Sequence, residues 1–488
     1  MSRQTKFYCG LAALLCLPLL GMWLIPLADT SEPRYAEIAR LMAQTGDWIT
    51  PWFEPGVPFW GKPPLSFWAQ ALSFKLLGVN EFAARLPSWL ATMGTVGLLF
   101  AYARACFGVR SAQWAVAIYG SCALVYVASG AVLTDPFLAL GTTWSMTAFA
   151  MAARKPTRYW RYGFFLGLAV GLLAKGPLAL VLVAGPLLAW LLWRRSNWRA
   201  ARALPWGRGL LLTLAISLPW YVLAEIKTPG FLNYFIIGEH FLRFVDPGWQ
   251  GDLYGTAHKQ AYGTIWWYWL QAAFPWGLVA LGMVSAAFFQ AERRGAMRLA
   301  LRDPALTYLL AWSLFAPLFF TVSGNILWTY MLPALGAFSV LLAVALDARQ
   351  ARAPVFVGRV RWLACLAPVT ILLLTVVVVL QPARLKTERG LVRHAQQEMG
   401  ERGRLFYVDS RPFSAQFYSR GKAGLLSMAQ LPATLGGSTA VYLAVPKNRL
   451  DEVAKMLARP LRKQFESQRY VLIEIDSKPD SKSQRSIQ

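Results

Sequence analysis

The chain contains little charge, histidine and cysteine for its length. Only 15% of its 488 residues are charged and 56% are hydrophobic, with a mean hydropathy of +0.40. This composition excludes an ordinary soluble protein and indicates a membrane protein with many spans. All five cysteines lie in or beside apolar segments, which argues against structural disulfides even in an oxidising compartment. They are Cys9, Cys16, Cys106, Cys122 and Cys365.

Apolar segments of roughly 20 residues, long enough to cross about 30 Å of hydrocarbon, recur along most of the chain. We count eleven and predict a mostly α-helical, polytopic fold. The first follows Arg3 and Lys6 as a signal peptide would, but no small-residue cleavage site precedes Asp29, so we expect an uncleaved anchor. The segments lie near 7–27, 85–103, 111–130, 133–153, 159–174, 176–193, 209–226, 263–290, 305–323, 327–346 and 357–380.

The net charge of +25 would indicate a nucleic-acid partner in a soluble protein, but the distribution of the cations excludes one here. Arginine clusters fall on alternate loops, at 154–161, 194–208, 293–302 and 349–361. The positive-inside rule therefore predicts a cytoplasmic N-terminus. It places the first large loop, residues 28–85, on the outer side of the membrane.

Residues 1–382 are predicted to form the membrane domain, with a second large outer loop at 227–262. Residues 383–488 have the composition of a small soluble α/β domain, which the topology places on the outer side as well. Its β-like runs, such as AVYLAV at 440–445, alternate with helix-like stretches such as RLDEVAKMLARPL. The last dozen residues, rich in Ser, Lys and Asp, are typical of a disordered tail.

The first loop mixes carboxylates and cations with aromatic residues and prolines beside a span, which suits a site for an anionic headgroup. The run Ser31-Glu32-Pro33 can begin a helix, since Ser caps free amides and Pro is tolerated in the first turn. We predict an amphipathic helix in the membrane interface, and a plain connector resting on the membrane is the alternative. Its apolar face holds Tyr35, Ile38, Ala39 and Met42, and its polar face holds Glu37, Arg40 and Gln44.

Two ionisable residues lie at span edges on the same outer side. Asp135 begins the fourth predicted span, and Lys175 ends the fifth. Such groups near hydrocarbon are costly and usually paired or functional, so we expect both near the first loop. A lone snorkelling or capping charge is the alternative for each.

The second loop contains two of the three histidines in the chain, together with Glu239 and Arg243. A zinc site at His240 and His258 has little support, because eighteen residues separate them and no cysteine lies nearby. Hydrogen-bonded structural histidines are the favoured interpretation. The last outer turn, SGNILWTYMLP, brings Tyr330 near the surface, where its hydroxyl suits a phosphate or a sugar.

Seven ordered motifs over about residues 29–335 carry a family resemblance. They resemble the bacterial aminoarabinose transferase and protein-mannosyltransferase-related family, which are integral membrane glycosyltransferases of the GT-C fold. The resemblance implies sugar transfer from a polyprenyl phosphate donor, undecaprenyl phosphate in bacteria, at the outer face of the inner membrane and without a nucleotide. Its acceptor would be lipid A phosphate, another lipid, a glycan or a protein. The motifs are DTSEPRYAEIAR, GDWITP, FWGKPPLSFW, LTDPF, AKGP, GEHFLRF and SGNILWTYMLP.

The resemblance also implies site residues, position by position. Cations and tyrosines would bind the donor phosphate and stabilise the charge that grows as it departs. Carboxylates of the first loop would activate or orient the acceptor, and Asp135 would position the donor or a lysine. The implied phosphate-binding residues are Arg34, Tyr35, Lys62, Lys175, Arg243 and Tyr330, and the implied catalytic residues are Asp29, Glu32 and Asp135.

The chain departs from the family at two positions. Ser31 stands where the family has Asp, which makes Asp29 the first candidate for the base and Glu32 the second. Gly61 stands where the family has a Glu that shares a metal site with the histidine matching His258. A divalent metal therefore has little support, with His258 as the remaining candidate, and no other cofactor is expected.

Many spans with charges at their edges are also typical of a transporter or lipid flippase. Such proteins often show inverted repeats and charges deep inside spans, and neither feature is clear in this sequence. A non-catalytic assembly factor anchored by its tail domain is a third interpretation. The charges collect on the outer face, so we favour the transferase.

Overall fold

The structure is a computed structural model that describes most of the chain. Its contacts divide the chain into two compact units, one formed by Met1–Met22 and Leu41–Leu374 and the other by Trp23–Arg40 and Thr375–Gln488. The tail predicted to be disordered lies outside the described residues. Those residues are 3–246, 248–255, 258–399, 403–431, 441–457 and 461–475, without the side chains of Arg3 and Lys6.

The described chain up to residue 380 is mostly helical, as expected where lipid forces each backbone group to find its partner within the segment. Its main helices are Arg3–Leu24, Ser31–Thr45, Leu65–Leu77, Glu81–Phe107, Val109–Ser121, Ala123–Ser129, Asp135–Arg154, Arg158–Lys175, Leu178–Trp193, Trp206–Lys227, Thr264–Ala272, Trp276–Phe289, Ala291–Ala300, Pro304–Phe320, Leu332–Gln350, Pro354–Val360 and Leu366–Leu380. Shorter turns lie at Arg195–Asn197, Trp198–Ala201, Arg243–Val245, Trp328–Met331, Arg361–Cys365 and Pro382–Arg384, and Asn233–Leu242 is a π-helix.

Among the described residues, five helices are long and apolar enough to cross a membrane. The number rises to eight if each of three bent helix pairs is one span. Every predicted apolar segment falls on a helix or a bent pair, which confirms the polytopic α-helical class. Three further helices on predicted segments are not among these eight, because they are shorter or carry more polar residues. They are Asp135–Arg154, Arg158–Lys175 and Leu178–Trp193. The count of eleven spans therefore stays a prediction.

Glycines allow two helices that carry charged ends to pack closely. Asp135–Arg154 and Arg158–Lys175 form a helical hairpin, and a Cβ atom added to Gly141 would lie 2.6 Å from the backbone nitrogen of Gly171. Close approach through small residues is a common way for helices to pack in membranes. The hairpin places the start of its first helix beside the end of its second, so Asp135 and Lys175 become neighbours.

Seven short strands complete the described secondary structure. A small hairpin in the first unit pairs β1 (Trp52–Glu54) with β2 (Val57–Pro58). The second unit contains a five-stranded sheet of β3 (Arg404–Val408), β4 (Gly424–Leu426), β5 (Val441–Pro446), β6 (Arg462–Glu466) and β7 (Tyr470–Ile475). Their order in the sheet is β4-β3-β5-β7-β6. Strand β3 runs parallel to β4 and β5, whereas β7 runs antiparallel to β5 and β6.

The sheet of the second unit is covered on both faces, as a period of two residues requires. On β5, Tyr442 and Ala444 join the hydrophobic cluster that includes Leu391 of helix Arg389–Met399. The alternate residue Leu443 joins the cluster that includes Val453 of helix Leu450–Leu457. The predicted small α/β domain is confirmed, and it has a further helix at Phe413–Tyr418.

The division into units differs from the predicted boundary at residue 382, because residues 23–40 of the first loop join the second unit. The helix expected there is present, but the two charged residues of its polar face are buried. Glu37 and Arg40 are 4% and 6% exposed and form a two-pronged ion pair, with both N···O distances 2.7 Å, whereas Gln44 is exposed. Pairing of the two charges, three residues apart, lets the helix bury both.

Candidate active site

Asp135 and Lys175 form a buried ion pair at the end of the helical hairpin. The Nζ atom of Lys175 lies 2.7 Å from Oδ1 of Asp135, and each side chain is less than a tenth exposed. The same ammonium lies 5.0 Å from the ring centroid of Tyr330. The structure thus brings together three of the implied site residues. Neither charge is a lone snorkelling group.

His240 connects the second loop to this pair. Its Nδ1 atom lies 2.7 Å from the carbonyl oxygen of Phe235, and its Nε2 atom lies 2.9 Å from that of Lys175. Burial lowers the pKa of His240, although the two backbone hydrogen bonds oppose this effect. These contacts agree with the interpretation of His240 as a hydrogen-bonded structural residue.

A second group of charges lies on the same loop and centres on Glu239. Lys62 donates to Oε2 of Glu239 at 3.2 Å, and NH1 of Arg243 donates to Oε1 at 2.9 Å. Arg243 also lies 3.4 Å from Oδ2 of Asp252. Two cations implied to bind phosphate therefore meet at one carboxylate, which the sequence analysis left without a role.

The electrostatics keep this group ionised at neutral pH. Burial alone would raise the pKa of Glu239, but Lys62 and Arg243 outweigh it, so the pKa lies below its usual value. Burial would likewise lower the pKa of Arg243, but Glu239, Tyr330 and Asp252 raise it above the usual value. His240, the residue after Glu239, contacts the carbonyl oxygen of Lys175 at 2.9 Å and so joins the Glu239 group to the Lys175 group.

Aromatic residues fix the segment that carries Lys62. The hydroxyl of Tyr254 donates to the carbonyl oxygen of Pro58 at 2.7 Å and accepts from the backbone N–H of Trp60 at 3.0 Å. The indole of Trp60 in turn donates to the hydroxyl of Thr228 at 3.1 Å. The end of the β1–β2 hairpin is thereby tied to the second loop, which holds Lys62 within reach of Glu239.

Asp29 has a different environment in the second unit. Its Oδ1 atom accepts from the backbone N–H of Ser414 at 2.8 Å, and its Oδ2 atom accepts from the hydroxyl of Ser414 at 2.6 Å and from Arg469. Arg469 also pairs with Glu388 at 3.0 Å. Because both carboxylate oxygens are occupied and the side chain is 2% exposed, the base role of Asp29 has no support from these contacts.

Three other implied residues of the first loop, Glu32, Arg34 and Tyr35, also lie in the second unit, whereas Lys62 lies in the first. The guanidinium of Arg34 lies 5.1 Å from the ring centroid of Tyr35 and 5.6 Å from that of Phe413. Tyr35 is 9% exposed, and Glu32 is partly exposed in the first turn of helix Ser31–Thr45. The implied site residues thus form two sets, and each set is described within its own unit.

Comparisons with known proteins find similar proteins of the kind that the seven motifs resemble. The family model for dolichyl-phosphate-mannose-protein mannosyltransferase matches residues 8–235. The undecaprenyl phosphate-alpha-4-amino-4-deoxy-L-arabinose arabinosyl transferase of Shewanella sediminis is 30% identical over 349 residues, which are 69% of this chain and 60% of that protein. The Yersinia pestis protein of the same name is 31% identical over 347 residues, 68% of this chain and 58% of its own. The chain therefore spans about 60% of the length of these relatives.

Solved structures show the fold. The crystal structure of ArnT from Cupriavidus metallidurans bound to undecaprenyl phosphate is 18% identical, with a TM-score of 0.76 over 97% of this chain and 98% of that one. The chain is related to the aminoarabinose transferases and has the GT-C fold. The resemblance inferred from the seven motifs is confirmed. The archaeal oligosaccharyltransferase AglB from Archaeoglobus fulgidus is a more distant neighbour, 10% identical with a TM-score of 0.50 over 92% of this chain and 70% of that one.

The metal site that the GT-C resemblance implies does not fit the residues of this chain. Gly61 supplies only its carbonyl oxygen, which accepts from Lys62 at 2.5 Å. The backbone N–H of His258 donates to Asn325 at 3.1 Å, and its backbone pairs with the turn that precedes Tyr330. Across the described ranges, no three His, Cys, Asp or Glu side chains converge as metal ligands would. We assign no step to a metal.

Several residues that form ion pairs or hydrogen bonds with the implied site residues could not be recognised from the sequence. Glu239 stood out only as one charge among several in its loop. Ser414, Glu388 and Arg469 gave no signal, because 385 to 440 residues separate Ser414 and Arg469 from Asp29 along the chain. Motif spacing cannot detect pairs so far apart.

Proposed function

We propose that the chain is a membrane glycosyltransferase that moves a sugar from an undecaprenyl phosphate carrier to an acceptor lipid. By the names of its relatives, the sugar is 4-amino-4-deoxy-L-arabinose, and the family resemblance makes lipid A phosphate the first acceptor to test. The observation that carries the proposal is the meeting of Lys62 and Arg243 at Glu239, which the neighbouring His240 joins to Lys175 through the Lys175 carbonyl oxygen.

The chemistry follows from the charges. An acceptor oxygen attacks the anomeric carbon, and the bond from that carbon to the phosphate oxygen breaks. Lys62, Arg243 and the hydroxyl of Tyr330 stabilise the charge that builds on the departing phosphate, a role in which preorganised donors contribute most. Lys175 adds a third cation, which Asp135 holds in place. The resemblance implies inversion at the anomeric carbon.

The first loop supplies the carboxylate that acts on the acceptor. We assign this role to Glu32, because both oxygens of Asp29 are engaged and Glu32 is partly exposed. Glu32 would take the proton of an acceptor hydroxyl or orient an acceptor phosphate. Arg34 and Tyr35 keep the phosphate-binding role implied by the resemblance.

The proposed location is the bacterial inner membrane, with the N-terminus in the cytoplasm and the C-terminal domain in the periplasm. The arginine clusters on alternate loops support this orientation. Alkaline phosphatase fused after residue 399 should be active, and the same enzyme fused after residue 200 should be inactive. The opposite pattern would reverse the topology.

Reconstitution tests the activity directly. The purified full chain, given undecaprenyl phosphate-linked aminoarabinose and lipid A, should form modified lipid A without ATP. Mass spectrometry of both products would show the modified acceptor and released undecaprenyl phosphate. A chain that moves the donor across vesicles without releasing undecaprenyl phosphate would be a flippase instead. Because Ser31 and Gly61 depart from the family, polysaccharide and protein fractions belong in the same assay.

A further inference from the structure

Glu239 is a buried carboxylate for which the proposed reaction has no direct use. Its side chain is 5% exposed, and both of its oxygens are engaged. Oε1 accepts from NH1 of Arg243 at 2.9 Å and from the hydroxyl of Tyr234 at 3.3 Å. Oε2 accepts from Lys62 at 3.2 Å and from NH1 of Arg243 at 3.1 Å. Glu239 is therefore the carboxylate that Lys62 and Arg243 share.

Without Glu239, the two cations would repel each other in a partly buried site. Lys62 and Arg243 are 22% and 14% exposed, so water screens them only in part. The carboxylate removes this repulsion and fixes both donors. A carboxylate this close also repels any anion that enters the site. Glu239 thus aligns the two cations for a phosphate, but its own negative charge weakens the binding of that phosphate.

The proposed donor and product differ in charge at this point. The donor is a phosphodiester with one negative charge, whereas the released polyprenyl phosphate is a monoester whose second proton dissociates near pH 6, giving about −1.5 to −2 at neutral pH. The repulsion from Glu239 therefore acts more strongly on the product than on the donor.

We propose that Glu239 is a positioning residue that aligns Lys62 and Arg243 for the donor phosphate and weakens their hold on the phosphate monoester product. The inference rests on the proposed function and extends it to product release. Glu239 touches the cations, and the cations touch the phosphate.

Glu239→Gln tests this role because it removes the charge and keeps the shape. We expect undecaprenyl phosphate to inhibit sugar transfer at roughly tenfold lower concentration, as loss of one nearby charge in a partly screened site implies. We expect kcat to fall by a similar factor and kcat/KM for the donor to change less. If Glu239 only stabilised the fold, the variant would bind the product equally well or more weakly.

Two further variants separate charge from position. Glu239→Asp keeps the charge but withdraws it by one methylene, so kcat/KM should fall while inhibition by undecaprenyl phosphate stays near that of the unmodified chain. Asp246→Asn removes a charge from an exposed residue of the same loop that caps the backbone N–H of Gly248, and it should change neither quantity.

Direct binding of undecaprenyl phosphate to the purified full chain distinguishes the two levels of the proposal. If the unmodified chain neither binds this lipid nor transfers sugar, the proposed function fails. If it does both and Glu239→Gln binds the lipid no more tightly, the role of Glu239 in product release is wrong. A variant that fails to fold is recognised by its melting temperature, and the Glu239→Asp and Asp246→Asn pair then decides the question.

Discussion

Two buried ion networks in this protein have opposite composition. In the first unit, Lys62 and Arg243 share the carboxylate of Glu239. In the second unit, Asp29 and Glu388 share the guanidinium of Arg469. One network is built around an anion and presents cations, whereas the other is built around a cation and encloses anions.

Exposure separates the networks further. The Lys62 and Arg243 side chains are 22% and 14% exposed, whereas those of Asp29 and Glu388 are 2% and 0% exposed. An anionic ligand can reach Lys62 and Arg243, so we call their network with Glu239 the open network. Asp29 and Glu388 are closed off from a ligand, so we call their network with Arg469 the closed network. Charge in a loop therefore marks a functional site only when the partners of that charge leave it accessible to a ligand.

The largest expected effect concerns the base. Glu32→Gln should reduce the kcat of sugar transfer by about 100-fold or more, since a positioned general base typically contributes 10²–10⁴. Asp29→Asn should reduce kcat by less than about tenfold and should mainly lower the melting temperature, because its partners are structural. If Asp29→Asn abolished transfer at an unchanged melting temperature, the closed network would be catalytic, and the contrast between a functional and a structural network would be wrong.

Removal of a cation from the open network should have the next largest effect. Lys62→Ala should reduce kcat by about 100-fold, the typical loss for one donor to a developing anion. Lys259→Ala is the matched control, because Lys259 is an exposed cation whose backbone forms an isolated β-bridge with Asn325. Equal effects of the two changes on initial rates would contradict the site.

Removal of the cation from the closed network should affect stability instead. Arg469→Ala leaves two buried carboxylates without their shared partner and should destabilise the second unit by about 1–2 kcal/mol, allowing for the 32% exposure of Arg469. Arg449→Ala, which breaks the exposed pair with Asp409, should cost less than about 1 kcal/mol. Chemical denaturation monitored in the second unit would measure both, and equal losses would contradict the assignment.

The smallest effect is a change in pH dependence. Burial raises the pKa of Glu388, although Ser467 and Arg469 oppose it. Its stabilising contribution is therefore complete below the unfolded pKa of about 4.3 and is lost as the pH rises through the folded pKa. Glu388→Gln should make the melting temperature depend less on pH above about pH 4.3. An unchanged pH profile of the melting temperature would contradict this role of Glu388.

The fold class could be predicted because lipid imposes a strong pattern on the sequence. Each apolar segment became a helix or a bent pair, and the strand-like run at 440–445 became β5. The bends could not be predicted from hydropathy, since the sharpest, at 111°, interrupts an apolar segment near Pro275. The span count consequently stays open to experiment.

The site was predictable only where motifs carried it. Lys62, Lys175, Arg243 and Tyr330 followed from the family resemblance. The structure places them in one unit, Lys62 and Arg243 at Glu239 and Lys175 beside Tyr330. The contacts of Asp29 could not be predicted, because its partners Ser414 and Arg469 lie near the other end of the chain. Charge alone could not distinguish a residue that acts from one that anchors.

We propose that the open network binds the phosphate of a polyprenyl carrier. Binding of undecaprenyl phosphate and of undecaprenol, which lacks the phosphate, to the unmodified chain and to Lys62→Ala tests it most directly. We predict that Lys62→Ala weakens binding of the phosphate by about tenfold or more, as loss of a charge-assisted contact implies, and leaves undecaprenol unaffected. Equal affinity of both proteins for undecaprenyl phosphate would contradict the account.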